Sequence, residues 1–387
     1  MLPAFLTTLG ASNAFIGLIE GAADLVANAL KYLTGVAADL RPRLKPFVLA
    51  GYGLSTLARP FVAFATAPWH VLLVRVCDRV GKGVRTSPRD ALIAAATPPA
   101  IQARAYGFHR AMDHEGAALG TLLALGLLWA LGVRGAVSAT GQQLRTVFLW
   151  AAVPGFFAMV ALALTREPSR PTATVAAAAA SPGQAARLPL PLRRARVPIA
   201  LFGFANATVA FILVKAARLG ASPFLAPLIW LALHLVRAAT ATAGGRLADR
   251  YGRRNALALG WSVYAVTWAA VGLAGTIPVL AALAALSGTS TGLVEGAEKA
   301  LVAELAGAGA KGRAFGAYIC WLAWPRCSPA PPSASRGTDS AARWPSVARA
   351  PVRCWWPGCS WGWCRLVRPA ARRGRSGAPP ARPWSGR

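Results

Sequence analysis

Cations at helical spacing inside otherwise apolar sequence limit this chain more than any other feature. Arg75, Arg79, Lys82, Arg85 and Arg89 step by four, three, three and four, with Asp78 and Asp90 among them. That spacing lines one side of a helix. Charge at membrane depth is costly, so such residues face a bundle interior or a water-filled path. The same register returns 209 residues later, where Glu298-Lys299-Ala-Leu-Val-Ala occupies the place of Arg89-Asp90-Ala-Leu-Ile-Ala. Two further segments repeat. Gly35-Val-Ala-Ala-Asp39 pairs with Gly245-Arg-Leu-Ala-Asp249, and Arg104-Ala-Tyr-Gly107 pairs with Arg313-Ala-Phe-Gly316. The chain is therefore a duplicated helical half.

Composition sets the solvent. Of 387 residues, 55% are hydrophobic and only 14% charged, against roughly 25% charged in soluble domains. A multi-span membrane protein follows. Spans of roughly 20 apolar residues are read near 13–36, 46–66, 69–95, 105–131 and 145–165, then near 197–219, 222–243, 255–274 and 278–305. Residues 1–165 form an N-terminal bundle, 166–196 a polar linker, 197–318 a C-terminal bundle and 319–387 a disordered tail. Lys and Arg concentrate in the linker, in the loop holding Arg41, Arg43 and Lys45, and in the loop holding Arg246, Arg250, Arg253 and Arg254. These segments are assigned to the cytoplasm, which makes the chain a multi-pass protein of the bacterial inner membrane.

The segment Gly245-Arg-Leu-Ala-Asp249-Arg250-Tyr-Gly252-Arg253-Arg254-Asn-Ala-Leu257 resembles the cytoplasmic loop signature of the major facilitator superfamily. Gly35 to Lys45 resembles its first copy, with Pro42 where a glycine is usual. The resemblance covers about residues 1–318. It implies an all-α membrane protein of two pseudo-symmetric helical bundles, a central cavity and alternating access. It also implies that Asp39 and Asp249 latch the cytoplasmic side by binding a helix start in the opposite half. Asp249 is expected near Arg104–Gly107 and Asp39 near Arg313–Gly316.

Against that plan the N-terminus is expected to lack the first helix, and the eleventh and twelfth are expected to be missing or degraded. Residues 319–387 hold 12 Arg against one Asp, with 11 Pro and 8 Trp, and no apolar run long enough to span. Proline breaks helix interiors at about 3 kcal/mol each, so a frame slip near Tyr318–Cys320 is expected. Only the Asp249 latch is then expected to close. Translating the other two frames after codon 318 should recover two spans of about 20 residues each; failure in both frames removes the slip.

Candidate substrate- or proton-path residues are Glu20, Arg75, Asp78, His109, Asp113 and Glu295. Arg75 and Asp78 lie deep enough to face the cavity, whereas Lys82 and beyond also suit headgroup anchoring by snorkelling. His109 and Asp113 share a helix face and suit either proton exchange or a structural ion-pair network. Glu298 and Lys299 are expected to pair across the cavity with Arg75 or Arg79. Lys215 and Arg218 are assigned to snorkelling, and Gly116-Ala-Ala-Leu-Gly120 to close helix packing. The cytoplasmic gate comprises Asp39, Gly245, Asp249, Arg250, Gly252, Arg253 and Arg254.

The reading is a monomeric, proton-coupled secondary transporter with export slightly favoured and a lean toward an anionic small molecule. No cofactor, metal or nucleic-acid partner is implied; its partners are substrate, protons and the lipid bilayer. Two rivals stand beside it. One is a membrane enzyme built on the cluster at residues 109–115, although no nucleophile or metal motif is present. The other is a non-functional product of a truncated or frame-shifted transporter gene.

Overall fold

The computed structural model describes residues 2–133, 139–167, 188–205, 209–221, 225–307 and 309–323. The helices are α1 (Leu2–Thr8), α2 (Asn13–Asp39), α3 (Lys45–Ala58), α4 (Pro68–Ala96), α5 (Gln102–Ala130), α6 (Gly141–Trp150) and α7 (Ala152–Leu164). They continue as α8 (Leu190–Ala205), α9 (Ala210–Arg218), α10 (Leu225–Tyr251), α11 (Arg253–Leu273), α12 (Ile277–Ala306) and α13 (Lys311–Ala323). The described residues contain no strand.

Local chemistry explains the ends. Ser12 caps α2 by accepting from Phe15 N at 3.2 Å, and Thr140 with Gln143 forms a reciprocal cap on α6. Proline opens α4 and sits near the starts of α3 and α12, where its missing N–H costs nothing. Gly252 begins α11 at φ 94°. A side chain at that left-handed position would be strained, which accounts for this glycine of the loop signature.

Five described stretches are long and apolar enough to cross a membrane: 45–64, 141–164, 227–251, 253–273 and 277–306. The charged helices α2, α4 and α5 run 27, 29 and 29 residues, or about 40 Å at 1.5 Å per residue, so they are equally long. Part of their charge lies inside the bundle: Asp78 and Asp90 are buried and Arg75, Arg79 and Arg110 half-buried, whereas Asp24, Arg104, Asp113 and Glu115 are exposed. The outside is greasy: Leu273 is 88% exposed and Leu164 80%, and α7 has no buried residue. A soluble protein avoids so much exposed apolar surface; here it faces acyl chains.

The two halves meet through α5 against α10 and α2 against α13, with α12 touching both α4 and α5. Glycine permits this approach. A Cβ on Gly245 would lie 2.7 Å from Arg104 Cα, and one on Gly312 would lie 2.9 Å from Asp39 Oδ1. Gly245→Val should therefore destabilise the chain by roughly 1–3 kcal/mol. Gly116→Val should be near neutral, because nothing lies within 4 Å of that site. Thermal melts in detergent check the contrast. The same observation corrects the packing expected of Gly116 and Gly120, which both face open space.

Two expected boundaries move. Helix α8 starts at Leu190, so the last seven residues assigned to the linker are helical. Helix α13 continues five residues beyond Tyr318, because Ile319–Ala323 is still apolar and packs on the main core. The Arg/Pro/Trp-rich residues 324–387, including Cys354, Cys359 and Cys364, lie outside the described residues.

Candidate functional site

Two carboxylates bind two helix starts. Asp249 Oδ1 accepts from Ala103 N at 3.0 Å, and Oδ2 accepts from Arg104 N at 2.8 Å. Asp39 Oδ1 accepts from Gly312 N at 2.7 Å, and Oδ2 accepts from Arg313 N at 3.1 Å. The first N–H groups of a helix lack intrahelical partners and carry the positive end of its dipole, so each carboxylate is doubly satisfied. The expected asymmetry is thus overturned: α13 forms, and both latches close. Arg313 adds an ion pair to Asp39 at 3.5 Å. Arg253 donates to Pro99 O at 2.7 Å and pairs with Glu304, tying α11 to the loop before α5. Arg250 and Arg254 are exposed, the former over the Tyr251 ring.

Behind the latches, repeat-equivalent residues touch each other. Lys299 Nζ lies 2.8 Å from Asp90 Oδ2, with Asp90 fully buried and Lys299 3% exposed. Tyr106 packs edge-on against Phe315, centroids 5.8 Å apart. Equivalent positions of two halves meet only on the axis that relates them, so these pairs mark the pseudo-twofold. Arg89 also pairs with Asp90 at 3.2 Å, and Tyr106 donates its hydroxyl proton to Asp90 O at 2.6 Å. Glu298 accepts from the Tyr318 hydroxyl. Glu298 and Lys299 therefore do not reach Arg75 or Arg79; the axis presents them to nearer partners.

Arg75 instead binds Glu20 through both carboxylate oxygens, at 2.7 and 2.8 Å. Asp78 is 3% exposed and accepts from Arg59 Nε at 2.9 Å. Arg79 approaches Asp24 at 3.7 Å, while Arg85 stacks on the Tyr52 ring at 4.0 Å. The basic row is mostly neutralised within its own half. Lys215 donates to Val271 O and Gly272 O at 2.7 and 2.6 Å, so it caps the end of α11 rather than snorkelling.

A cavity of about 230 Å³ lies beside the axis. Its wall takes Arg110 from the first half, and Phe202, Tyr264, Glu295, Glu298 and Tyr318 from the second. Arg110 pairs with Asp113 at 3.2 Å and approaches Glu295 at 3.6 Å. His109 stands 3.8 Å from Asp113, beyond hydrogen-bond reach. Glu295 instead meets His114 Nε2 at 3.0 Å, and His114 Nδ1 faces His234 Nδ1 at 3.1 Å. Among the singled-out residues the structure brings Glu295 and Asp113 together through Arg110, and Glu20, Arg75 and Asp78 together as a separate group. Sequence reasoning missed His234, Phe202, Tyr264 and the partner role of Tyr318. Lone aromatics and a lone histidine on apolar helices carry no local signal.

The family model described as Major Facilitator Superfamily matches residues 1–328. An uncharacterized MFS-type transporter of Methanocaldococcus jannaschii is 27% identical over 326 residues, covering 82% of this chain and 78% of its own. An uncharacterized protein of Mycobacterium tuberculosis is 26% identical, with coverages of 82% and 76%. Among solved structures, the proton:xylose symporter XylE superposes with a TM-score of 0.65 at 14% identity, over 83% of this chain and 80% of that one.

Proposed function

Because the chain belongs to the major facilitator superfamily, a family of multi-pass membrane transport proteins, we propose that it moves a small molecule by alternating access and couples that movement to protons. The observation that carries this reading is the cavity shared by both halves and walled by buried charge, with two carboxylate latches at one end of the bundle. The latched end is the cytoplasmic one, the membrane is the bacterial inner membrane, and the linker at 166–196 lies in the cytoplasm. The chain works as a monomer. Arg110 and the aromatic rings of Phe202 and Tyr264 suit a small organic anion, held by charge on one side and by stacking on the other. Glu20, Arg75, Asp78, His109, Asp113 and Glu295 supply the substrate or proton path, and export is slightly favoured over import.

Reconstitution tests this. Proteoliposomes carrying the full chain and an internal pH dye are challenged with a panel of small organic anions; anion-dependent proton flux is expected. Arg75→Ala should lower that flux at least about tenfold, since it removes the two short hydrogen bonds to Glu20 and leaves that carboxylate only Arg79, at 3.9 Å; about 1.4 kcal/mol is tenfold. Lys82→Ala should leave it within about twofold, because Lys82 bonds to another side chain only through its backbone carbonyl, which accepts from Thr86 Oγ1, and its own side chain holds no ion pair among the described residues. Equal flux from both variants, at equal membrane abundance, rejects the role given to Arg75. No anion-dependent proton flux from the unaltered chain rejects the coupling.

A further inference from the structure

We infer that Glu295, His114 and His234 form a proton wire across the boundary between the two halves, and that His234 Nε2 is the atom where the proton is taken up; the inference rests on the transporter reading above. Three observations carry it. The chain of contacts is continuous, at 3.0 Å from Glu295 Oε2 to His114 Nε2 and 3.1 Å from His114 Nδ1 to His234 Nδ1. It crosses halves, since His114 is on α5 while His234 and Glu295 are on α10 and α12. Both rings are 7% exposed, and His234 Nε2 is buried with no hydrogen-bond partner among the described residues.

The proton positions follow from donor and acceptor rules. An ionised carboxylate only accepts, so His114 Nε2 carries a proton. In neutral His114 the Nδ1 atom is then an acceptor, so His234 Nδ1 must donate to it. That leaves His234 Nε2 as a bare acceptor. Nδ1 of each ring is engaged in the His114–His234 contact and His114 Nε2 in the contact to Glu295, so His234 Nε2 is the one ring nitrogen of the pair free to bind a further proton.

The step balances. A proton binds His234 Nε2, His234 passes its Nδ1 proton to His114 Nδ1, and His114 passes its Nε2 proton to Glu295. One proton has crossed, both imidazoles are neutral with exchanged tautomers, and Glu295 carries the proton beside the cavity. Parting of the halves separates His114 from His234 and admits water. Water takes the protons from His114 Nδ1 and His234 Nε2 and returns one to His114 Nε2 and one to His234 Nδ1, so each ring regains its first tautomer with no net gain or loss of protons. The charged and titratable groups facing the wire are Arg110 and Asp113 on α5 and Arg237 on α10. Tyr264, Glu298, Lys299 and Tyr318 line the same cavity as Glu295. The Trp230 ring, its centroid 4.8 Å from that of His234 and tilted 53° to it, packs against that imidazole.

The chain has four histidines, so nitrogen NMR of the full chain with labelled histidine resolves each ring. H70N, H114N and H234N assign them. Unaltered protein should show His114 protonated at Nε2, His234 protonated at Nδ1, and a nitrogen–nitrogen scalar coupling between them that H70N retains and H114N loses. The protonation sites and the coupling are read in the unaltered protein, and the variants serve only to assign them. Both rings protonated at Nε2, with no coupling, overturns the wire. In the proteoliposomes above, H234N should lower anion-driven proton flux at least about tenfold while anion binding persists; undiminished flux also overturns it. If the unaltered chain moves no anion, the transport reading fails alone, and the tautomers still decide the wire.

Discussion

Asp90→Ala destabilises the folded chain by roughly 3–5 kcal/mol, the cost of stranding one member of a buried ion pair. Lys299 is 3% exposed and 2.8 Å from the Asp90 carboxylate; without it the ammonium faces Arg110 and Arg89 with no counter-charge beside it. Lys299→Ala is expected to cost less, because Arg89 still neutralises Asp90 at 3.2 Å. The repeat adds a sharper expectation. Asp90 and Lys299 occupy equivalent places in the two halves, so exchanging them puts each group in a matching backbone setting. The exchange should recover part of the loss. It should not recover all of it, since a lysine at 90 adjoins Arg89 and an aspartate at 299 adjoins Glu298. Thermal unfolding of the two single variants and the double exchange, in one detergent, measures this. A double variant less stable than both singles refutes the axial pairing.

The second large effect concerns the latches. Asp39→Ala and Asp249→Ala should loosen the closed end to a similar degree, because each carboxylate accepts two backbone N–H groups at a helix start. Hydrogen bonds to charged groups contribute roughly 1.5–3 kcal/mol each, and about 1.4 kcal/mol is tenfold in an equilibrium. A single cysteine at Ala314 or Ala103, both fully buried, reports opening through its maleimide labelling rate. In a chain whose six native cysteines are serine, either aspartate variant should raise that rate at least about tenfold at both positions. An effect confined to Asp249→Ala would restore the one-sided gate that the tail composition suggested.

The tail composition points to a one-sided gate, yet both latches close, for a physical reason. Proline and arginine dominate after residue 324, yet the α13 latch needs only its first turns. Lys311 to Ala323 contains no proline, and Ala314, Phe315 and Tyr318 bury against the core. The N–H groups that Asp39 holds, on Gly312 and Arg313, lie more than ten residues before the first proline of the tail. The linker boundary erred similarly. Arg193, Arg194 and Arg196 look like a solvated segment, but arginine is a good helix former and α8 simply begins earlier.

Membrane class, the helices, the duplication and the latch aspartates were set by the sequence itself. Each rests on short-range information: apolar run length, charge spacing and a loop whose glycine needs positive φ. Glu295 was also legible, since a carboxylate in mid-span demands a partner. Which partner it finds was not. His114, His234 and Glu295 are 120 and 181 residues apart in their contacts, and only the packing of α5 between α10 and α12 brings them together. The same holds for Asp90 and Lys299. Their equivalence is written in the repeat, but whether equivalent residues meet or stand apart depends on where the axis runs. Glycine contacts between helix backbones fix that axis, and such contacts exist only in three dimensions.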